Sequence, residues 1–290
     1  MSAIESPKLI HPIKSGQDLL TEFAATRPAS GTLAIWWLGQ SGFAIKSRSG
    51  LMVIDPYLSE HLTQKYAETD KPHIRMTESP FCGADLTGVD LILSSHKHSD
   101  HMDPGTLPDL MKANPRATLV VPCSHFEHAR QMGIEHEQII ALESGDVHVQ
   151  SGFLIRAIPS AHEDLAIDAD GRNLYFGYVI EVDGMRLYHS GDTIVYDDLP
   201  GWLGPEPFDV MFLPINGRDP SRGVSGNMTA AEAVDLAAIV RPRFVVPHHY
   251  DMFTFNTVPV GDFEREASRL PRDVHPKILQ CGELWTVTRA

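Results

Sequence analysis

The run His96-Lys97-His98-Ser99-Asp100-His101 places three imidazoles and one carboxylate within six consecutive residues. Imidazole nitrogen and carboxylate oxygen together suit Zn²⁺, Mn²⁺ or iron. The alternating His96 and His98 can aim at one ion from a short loop, while Asp100 and His101 can turn toward a second. The plain alternative is a solvated polar loop, so context decides. Further donors follow apolar runs later in the chain: His162 after Ile158-Pro159-Ser160-Ala161, and Asp192 after Tyr188-His189-Ser190-Gly191. His248 and His249 follow Val246-Pro247. A lone histidine after a strand is ordinarily a satisfied one, but several such positions in one chain point to a common centre. Gly191 can supply a tight turn that delivers Asp192 inward, where a carboxylate can bridge two cations. The plain alternative for Asp192 is an Asx-type turn. Adjacent residues project differently, so only one of His248 and His249 is expected to bind metal. His189 and Thr193 are expected to support the site rather than ligate.

Each donor must be carried to the site by an element. DLILSS (90–95) is an apolar run ending in polar residues, as suits a buried strand feeding a loop. Residues 32–39, 42–47 and 51–56 read as a meander broken by Gly/Ser turns. Further strands are expected over 118–123, 153–160, 173–182, 185–192, 209–216, 243–250, 276–281 and 284–288. Helices are expected over 16–26, 106–113, 124–132, 229–240 and 262–270. Thr229, with Glu232 three residues on, has the pattern of a capping box. Trp36, Trp37, Phe43, Tyr175 and Phe176 read as core or sheet face rather than as a cofactor box. Many strands with interspersed helices, and functional groups just past strand ends, indicate a layered α/β fold with its site along one edge.

Composition narrows the function classes. Hydrophobic residues make up 42% and charged residues 21%, ordinary values for a soluble globular protein. With no linker, low-complexity tract or repeat, residues 1–290 read as one domain. Lys+Arg number 24 against 38 Asp+Glu, a net charge of −14 with no basic run. General affinity for nucleic acid or anionic membrane is therefore disfavoured. Cys82, Cys123 and Cys281 are odd in number and widely spaced. They fit a reducing cytoplasm better than a disulfide framework and read as small buried hydrophobes. The N-terminal residues MSAIESPKLIHPIKSG lack the apolar run of a signal peptide.

The succession HxHxDH, single His, Ser-Gly-Asp and late His resembles the five-motif pattern of the metallo-β-lactamase superfamily over most of the chain. Asp55 in LMVIDP resembles its first motif, a supporting carboxylate rather than a ligand. Within the superfamily the chain looks most like the L-ascorbate-6-phosphate lactonase group. The stretches that carry this are AIWWLGQSGFAI, SSHKHSDHMD, LYHSGDT, VVPHHYDMF and residues 220–233. The resemblance implies a four-layer αββα sandwich and two divalent ions, Zn or Mn. By the same resemblance His96, His98 and His162 would hold one ion and Asp100, His101 and His249 the other, with Asp192 bridging. His248 would then sit behind the ligands or face substrate. Residues 60–85 and 163–172 depart from the lactonase group, and those loops would shape the pocket.

Two ions about 3.5–4 Å apart can share a water and lower its pKa toward neutrality. Asp100 would orient the resulting hydroxide as well as ligate. The leaving group would take its proton from Asp100, metal-bound water or His248. A lactone is the expected substrate. A phosphorylated sugar lactone would need cations, for which Arg218 and Arg222 are available. Asn216 is a further group for substrate contact. The alternatives are a phosphodiesterase on the same scaffold and a non-enzymatic, metal-stabilised binding protein. A small-molecule substrate and a homo-oligomeric state complete the expectation.

Overall fold

The structure is a computed structural model that describes residues 9–290; residues 1–8 of the N-terminal stretch discussed above lie outside that range. The first half of the chain supplies β1 (Thr32–Gly39), β2 (Gly42–Lys46), β3 (Leu51–Ile54), β4 (Leu91–Leu93), β5 (Thr118–Pro122) and β6 (Ile139–Leu142). The second half supplies β7 (Val147–Gln150), β8 (Phe153–Pro159), β9 (Phe176–Val182), β10 (Met185–His189), β11 (Val210–Pro214), β12 (Phe244–His248) and β13 (His275–Pro276). The chain then returns as β14 (Leu284–Thr288) to the first sheet. The two seven-stranded sheets run β14-β1-β2-β3-β4-β5-β6 and β13-β12-β11-β10-β9-β8-β7.

Both sheets are built on one plan. From β14 to β3, and again from β7 to β10, neighbouring strands are antiparallel. From β3 to β6, and from β10 to β13, they are parallel. Parallel strands are buried on both faces and place loops at their C-terminal ends, where open α/β sheets bind ligands. The alternation on β1 shows the layering. Leu33, Ile35 and Trp37 enter the core shared with Phe153, Ile155 and Ile180 of the second sheet. Ala34, Trp36 and Leu38 pack outward on Leu19 and Phe23 of α1 (Gly16–Ala25).

The shorter α2 (His61–Lys65) lies in the connection between β3 and β4. The outer face of the first sheet also receives Leu107, Leu110 and Met111 of α3 (Leu107–Ala113) and Ala129 of α4 (Phe126–Gln131). After α5 (Leu199–Leu203), α6 (Ala230–Val240) and α7 (Val260–Ala267) pack with the second sheet through Val234, Leu236 and Phe263. The result is the expected αββα sandwich. The capping box forms at α6: the Glu232 amide donates to Thr229 Oγ1 at 3.2 Å, and the Thr229 amide donates to Glu232 Oε2 at 2.8 Å.

Several elements escaped the sequence reading. β6, β7, α2 and α5 are only four or five residues long, too short for a periodic signal. β7 is an edge strand, with Val147 and Val149 outward and exposed. β9 begins at Phe176 rather than at residue 173, and β13 covers His275–Pro276 rather than 276–281. The cysteines differ from expectation too. Cys281 is buried, but Cys123 is half-buried and Cys82 exposed. Among the described residues no helix is long and apolar enough to cross a membrane.

Candidate metal centre

The donors converge where β4, β8, β10 and β12 end. β4 stops at Leu93 and feeds the loop of His96, His98, Asp100 and His101. His162 follows β8, Asp192 follows β10, and His249 follows β12. Three groups of donor atoms each lie within 4.8 Å of one another and could hold an ion: His96, His98 and His162; His96, His101 and Asp192; Asp100, His101 and His249. Asp192 stands between the outer two. Its Oδ1 is 3.3 Å from His101 Nε2, while its Oδ2 is 3.4 Å from His249 Nε2 and 3.7 Å from His162 Nε2. Asp100 Oδ2 is 3.7 Å from both His101 Nε2 and His249 Nε2. Ligands about 2.1 Å from a tetrahedral ion are about 3.4 Å apart, so these spacings suit donors that share a cation.

Hydrogen bonds behind the rings decide which nitrogen faces inward. A carboxylate only accepts, so His101 Nδ1 donates to Asp55 Oδ2 at 2.7 Å and turns Nε2 to the centre. The Gly226 carbonyl does the same for His162, accepting from Nδ1 at 3.0 Å. Asp55 also accepts from the Ser95 amide and hydroxyl, each at 2.7 Å. The single hydroxyl proton of Ser95 is thus committed, so its oxygen accepts from His96 Nδ1 at 3.0 Å. His96 Nε2, His101 Nε2 and Asp192 Oδ1 are then buried with no hydrogen-bond partner. Buried polar atoms are nearly always satisfied. Three such orphans converging on one point fit a bound cation, and the donor set is right for one.

Charge supports the same arrangement. Burial, then the neighbouring His101 and His98, holds the His96 imidazole well below its ordinary pKa. Burial lowers His98 to about 4, and burial also lowers His162. These rings present lone pairs at neutral pH. Burial disfavours the charged form of His101 as well, but Asp192, Asp55 and Asp100 outweigh it and push its pKa well above the ordinary value. Burial would raise Asp192, yet His101 and His249 hold it well below the usual carboxylate range.

The local backbone is shaped for this delivery. Asp55, Gln40 and His249 all adopt positive φ, at 46°, 50° and 61°. Such non-glycine residues are uncommon and tend to gather at functional sites. Gly191 has φ 58°, and a Cβ there would stand 2.4 Å from the Phe176 carbonyl oxygen, so no other residue fits that turn. His189 holds the turn from behind: its Nε2 donates to the Ser41 carbonyl at 2.9 Å, and its Nδ1 accepts from the Gly191 amide at 3.1 Å. His248 is stacked on His189, 5.0 Å between centroids, with Nδ1 3.1 Å from Ser41 Oγ. It therefore lies behind the centre, and His249 faces the carboxylates.

The arginines lie elsewhere. Arg218 is paired with Glu232 and donates to the Asn227 carbonyl. Arg222 donates to the Asn216 carbonyl at 2.6 Å and to Asn256 Oδ1 at 3.2 Å. Neither lines the cavity of about 420 Å³ above the donors, because both guanidinium groups are spent tying loops together. Asn216 is buried between Asn256 and Asn227, and it too stays outside the lining. The cations that do line the cavity are Lys65 and Lys97.

Two further residues join the centre without a spacing signal to announce them. Gln40, in the turn between β1 and β2, donates from Nε2 to Asp100 Oδ2 at 2.9 Å. A polar residue ending the apolar β1 run was the available clue. Tyr175 was expected in the core or on a sheet face. It sits one residue outside β9, half-buried, with its ring 5.1 Å from His96 and 5.3 Å from His162.

Comparison with known proteins gives the family. Residues 34–249 match the family described as the beta-lactamase superfamily domain. The chain is 30% identical to a metal-dependent hydrolase of Opitutus terrae, over 87% of this chain and 98% of that protein. It is 26% identical to a protein of Salmonella heidelberg named "probable L-ascorbate-6-phosphate lactonase", over 93% of this chain and 85% of the relative. A solved structure of a metallo hydrolase from Ignicoccus hospitalis shares the fold at a TM-score of 0.65 and 22% identity, covering 89% of this chain and 100% of that one. With its matched span reaching from β1 to His249, the chain belongs to the beta-lactamase superfamily, as a metal-dependent hydrolase of that family.

Proposed function

We infer that the protein hydrolyses a lactone with two divalent ions, Zn²⁺ or Mn²⁺, seated between the ligands His96, His98 and His162 on one side and Asp100, His101 and His249 on the other. The observation that carries this reading is the position of Asp192, whose two oxygens face both groups at 3.3–3.7 Å. Bound divalent ions would supply an acidified water and polarise the substrate carbonyl. The chain's own part is to aim that chemistry. Asp55 and the Gly226 carbonyl fix two rings, and Asp192 offsets charge in a buried site. Asp100, at the floor of the cavity, accepts from Gln40 and keeps its other oxygen for the proton of the attacking water. Its carboxyl can then pass that proton to the alcohol released on ring opening. The lactone assignment is supported by the Salmonella relative's name. The core shared by the two sheets supports reading the chain as one domain.

The test is a pH-stat assay of sugar and simple lactones beside phosphodiesters, each with Zn²⁺ or Mn²⁺ and with a chelator control. Chelator-sensitive acid release from a lactone is the expected result. Turnover of phosphodiesters alone would replace the lactone reading with a phosphodiesterase.

A further inference from the structure

Above the metal centre one side of the cavity is a wall of rings. Tyr66 and His73 stack at 4.2 Å between centroids and 18° between planes. His73 meets Phe255 at 4.5 Å and Phe253 at 5.1 Å. All four rings, with Leu62, line the cavity. The wall is not part of either inter-layer core. Phe253 is buried in a separate cluster with Tyr57, Leu62 and Met252, which fixes its position. It is assembled from the β3–β4 connection and the loop after β12, two segments the sheets do not hold. Its hydrogen-bonding groups are few beside its ring area: His73 Nδ1 donates to the Lys71 carbonyl at 3.2 Å, which leaves the Tyr66 hydroxyl and His73 Nε2. Polyhydroxylated ligands need polar partners when desolvated. Flat apolar groups stack on such rings.

The rim carries charge of one sign. Lys97 is exposed between His96 and His98, and Lys65 is exposed with its Nζ 5.2 Å from the Tyr66 ring centroid. Among the described residues neither lysine is in an ion pair. The carboxylates lining the cavity are Asp100 and Asp192, both already in the donor set. His128 lines the cavity with both lysines, and burial, then Lys97 and Lys65, keeps it below its ordinary pKa. In a chain of net charge −14, divalent ions held by Asp100 and Asp192 would offset those carboxylates and leave the two ammonium groups to favour an anion at this mouth.

We propose that this cavity selects a ligand with a flat, aromatic body against Tyr66, His73, Phe253 and Phe255 and an anionic group, carboxylate or phosphate, at Lys65 and Lys97. Applied to hydrolysis, the substrate class is an arene-bearing lactone or ester with an anionic substituent, rather than a bare sugar phosphate. That application rests on the lactonase reading; the binding preference does not.

Binding to the metal-loaded protein tests it directly, by calorimetry with 2-naphthoate, 2-naphthamide and acetate. 2-Naphthoate should bind about tenfold or more tightly than either of the others. Lys65→Gln combined with Lys97→Gln should erase the preference for naphthoate over naphthamide, with metal content and melting temperature unchanged. Phe255→Ala should erase the preference for naphthoate over acetate; Phe255→Leu, a milder change, should reduce it. If the lysine variant binds naphthoate as the parent does, the carboxylate is held by the metal ions alone and the rim has no role. If acetate and naphthoate bind equally, the wall has none. A protein that shows the expected binding pattern yet opens no lactone would overturn the lactonase reading and leave this one standing.

Discussion

At the residue scale, Asp100 and His101 are adjacent in sequence but differ in what surrounds them. Asp100 keeps access to the cavity and takes one hydrogen bond, from Gln40. Asp100→Asn should therefore lower turnover by about 10²–10⁴-fold, with the melting temperature little changed; equal losses of activity and fold would remove its catalytic role. Gln40→Leu removes the donor that holds that carboxylate, and kcat should fall about tenfold with metal content kept, as measured by steady-state kinetics and metal analysis. His101 lies against Asp55, Asp100 and Asp192 and has its pKa pushed well above its ordinary value, so the metal-free site holds a proton there at neutral pH. A ligating nitrogen must give that proton up. Its release is easier as pH rises, so the apparent metal affinity should increase about tenfold per pH unit between roughly pH 6 and 8. Competition titrations against a chelator of known pH dependence would show this, and a flat profile would count against His101 as a ligand.

At the element scale, the strands end together and their turns do the aiming. The turn after β10 works only as glycine, since Gly191 passes between the Phe176 carbonyl and Ser95. Gly191→Ala should open that turn, withdraw Asp192 and weaken metal binding about 10–100-fold, read by equilibrium dialysis. The α6 cap is a control of the opposite kind. Thr229→Ala loses the cap at Glu232 and should cost about 1 kcal/mol of stability, seen in denaturant melts, without changing metal affinity.

At the scale of the molecule, candidate donors from both halves of the chain converge on one centre: Asp100 and His101 from the first sheet's edge, Asp192 and His249 from the second's. Ions held there would tie the sheets to each other. Chelation should lower the melting temperature, because a ligand at a hundred times its Kd stabilises by about 2.7 kcal/mol. Differential scanning calorimetry with and without chelator measures it; an unchanged transition would mean the centre does not bind metal in the folded state.

Much of this was present in the sequence. The near-continuous apolar runs of β1–β3 and β9–β12, and the polar residues just after β4, β8, β10 and β12, announce strands and their edge because burial on both faces of a strand demands continuous apolar side chains. HxHxDH is legible because four donors lie together on one short loop, although each donor group is completed by His162, Asp192 or His249 from elsewhere in the chain. What the sequence could not settle depends on residues distant in the chain. That His249 and not His248 faces Asp100 and Asp192 follows from Ser41 and His189, which hold His248 from behind. Arg218 and Arg222 look free in the sequence and are spent on Glu232 and on backbone carbonyls in the structure. The ring wall and the Lys65–Lys97 rim meet only because two irregular segments fold over the strand ends. Spacing along a chain encodes local geometry, whereas the partner that satisfies a charge or closes a cavity is chosen by tertiary packing.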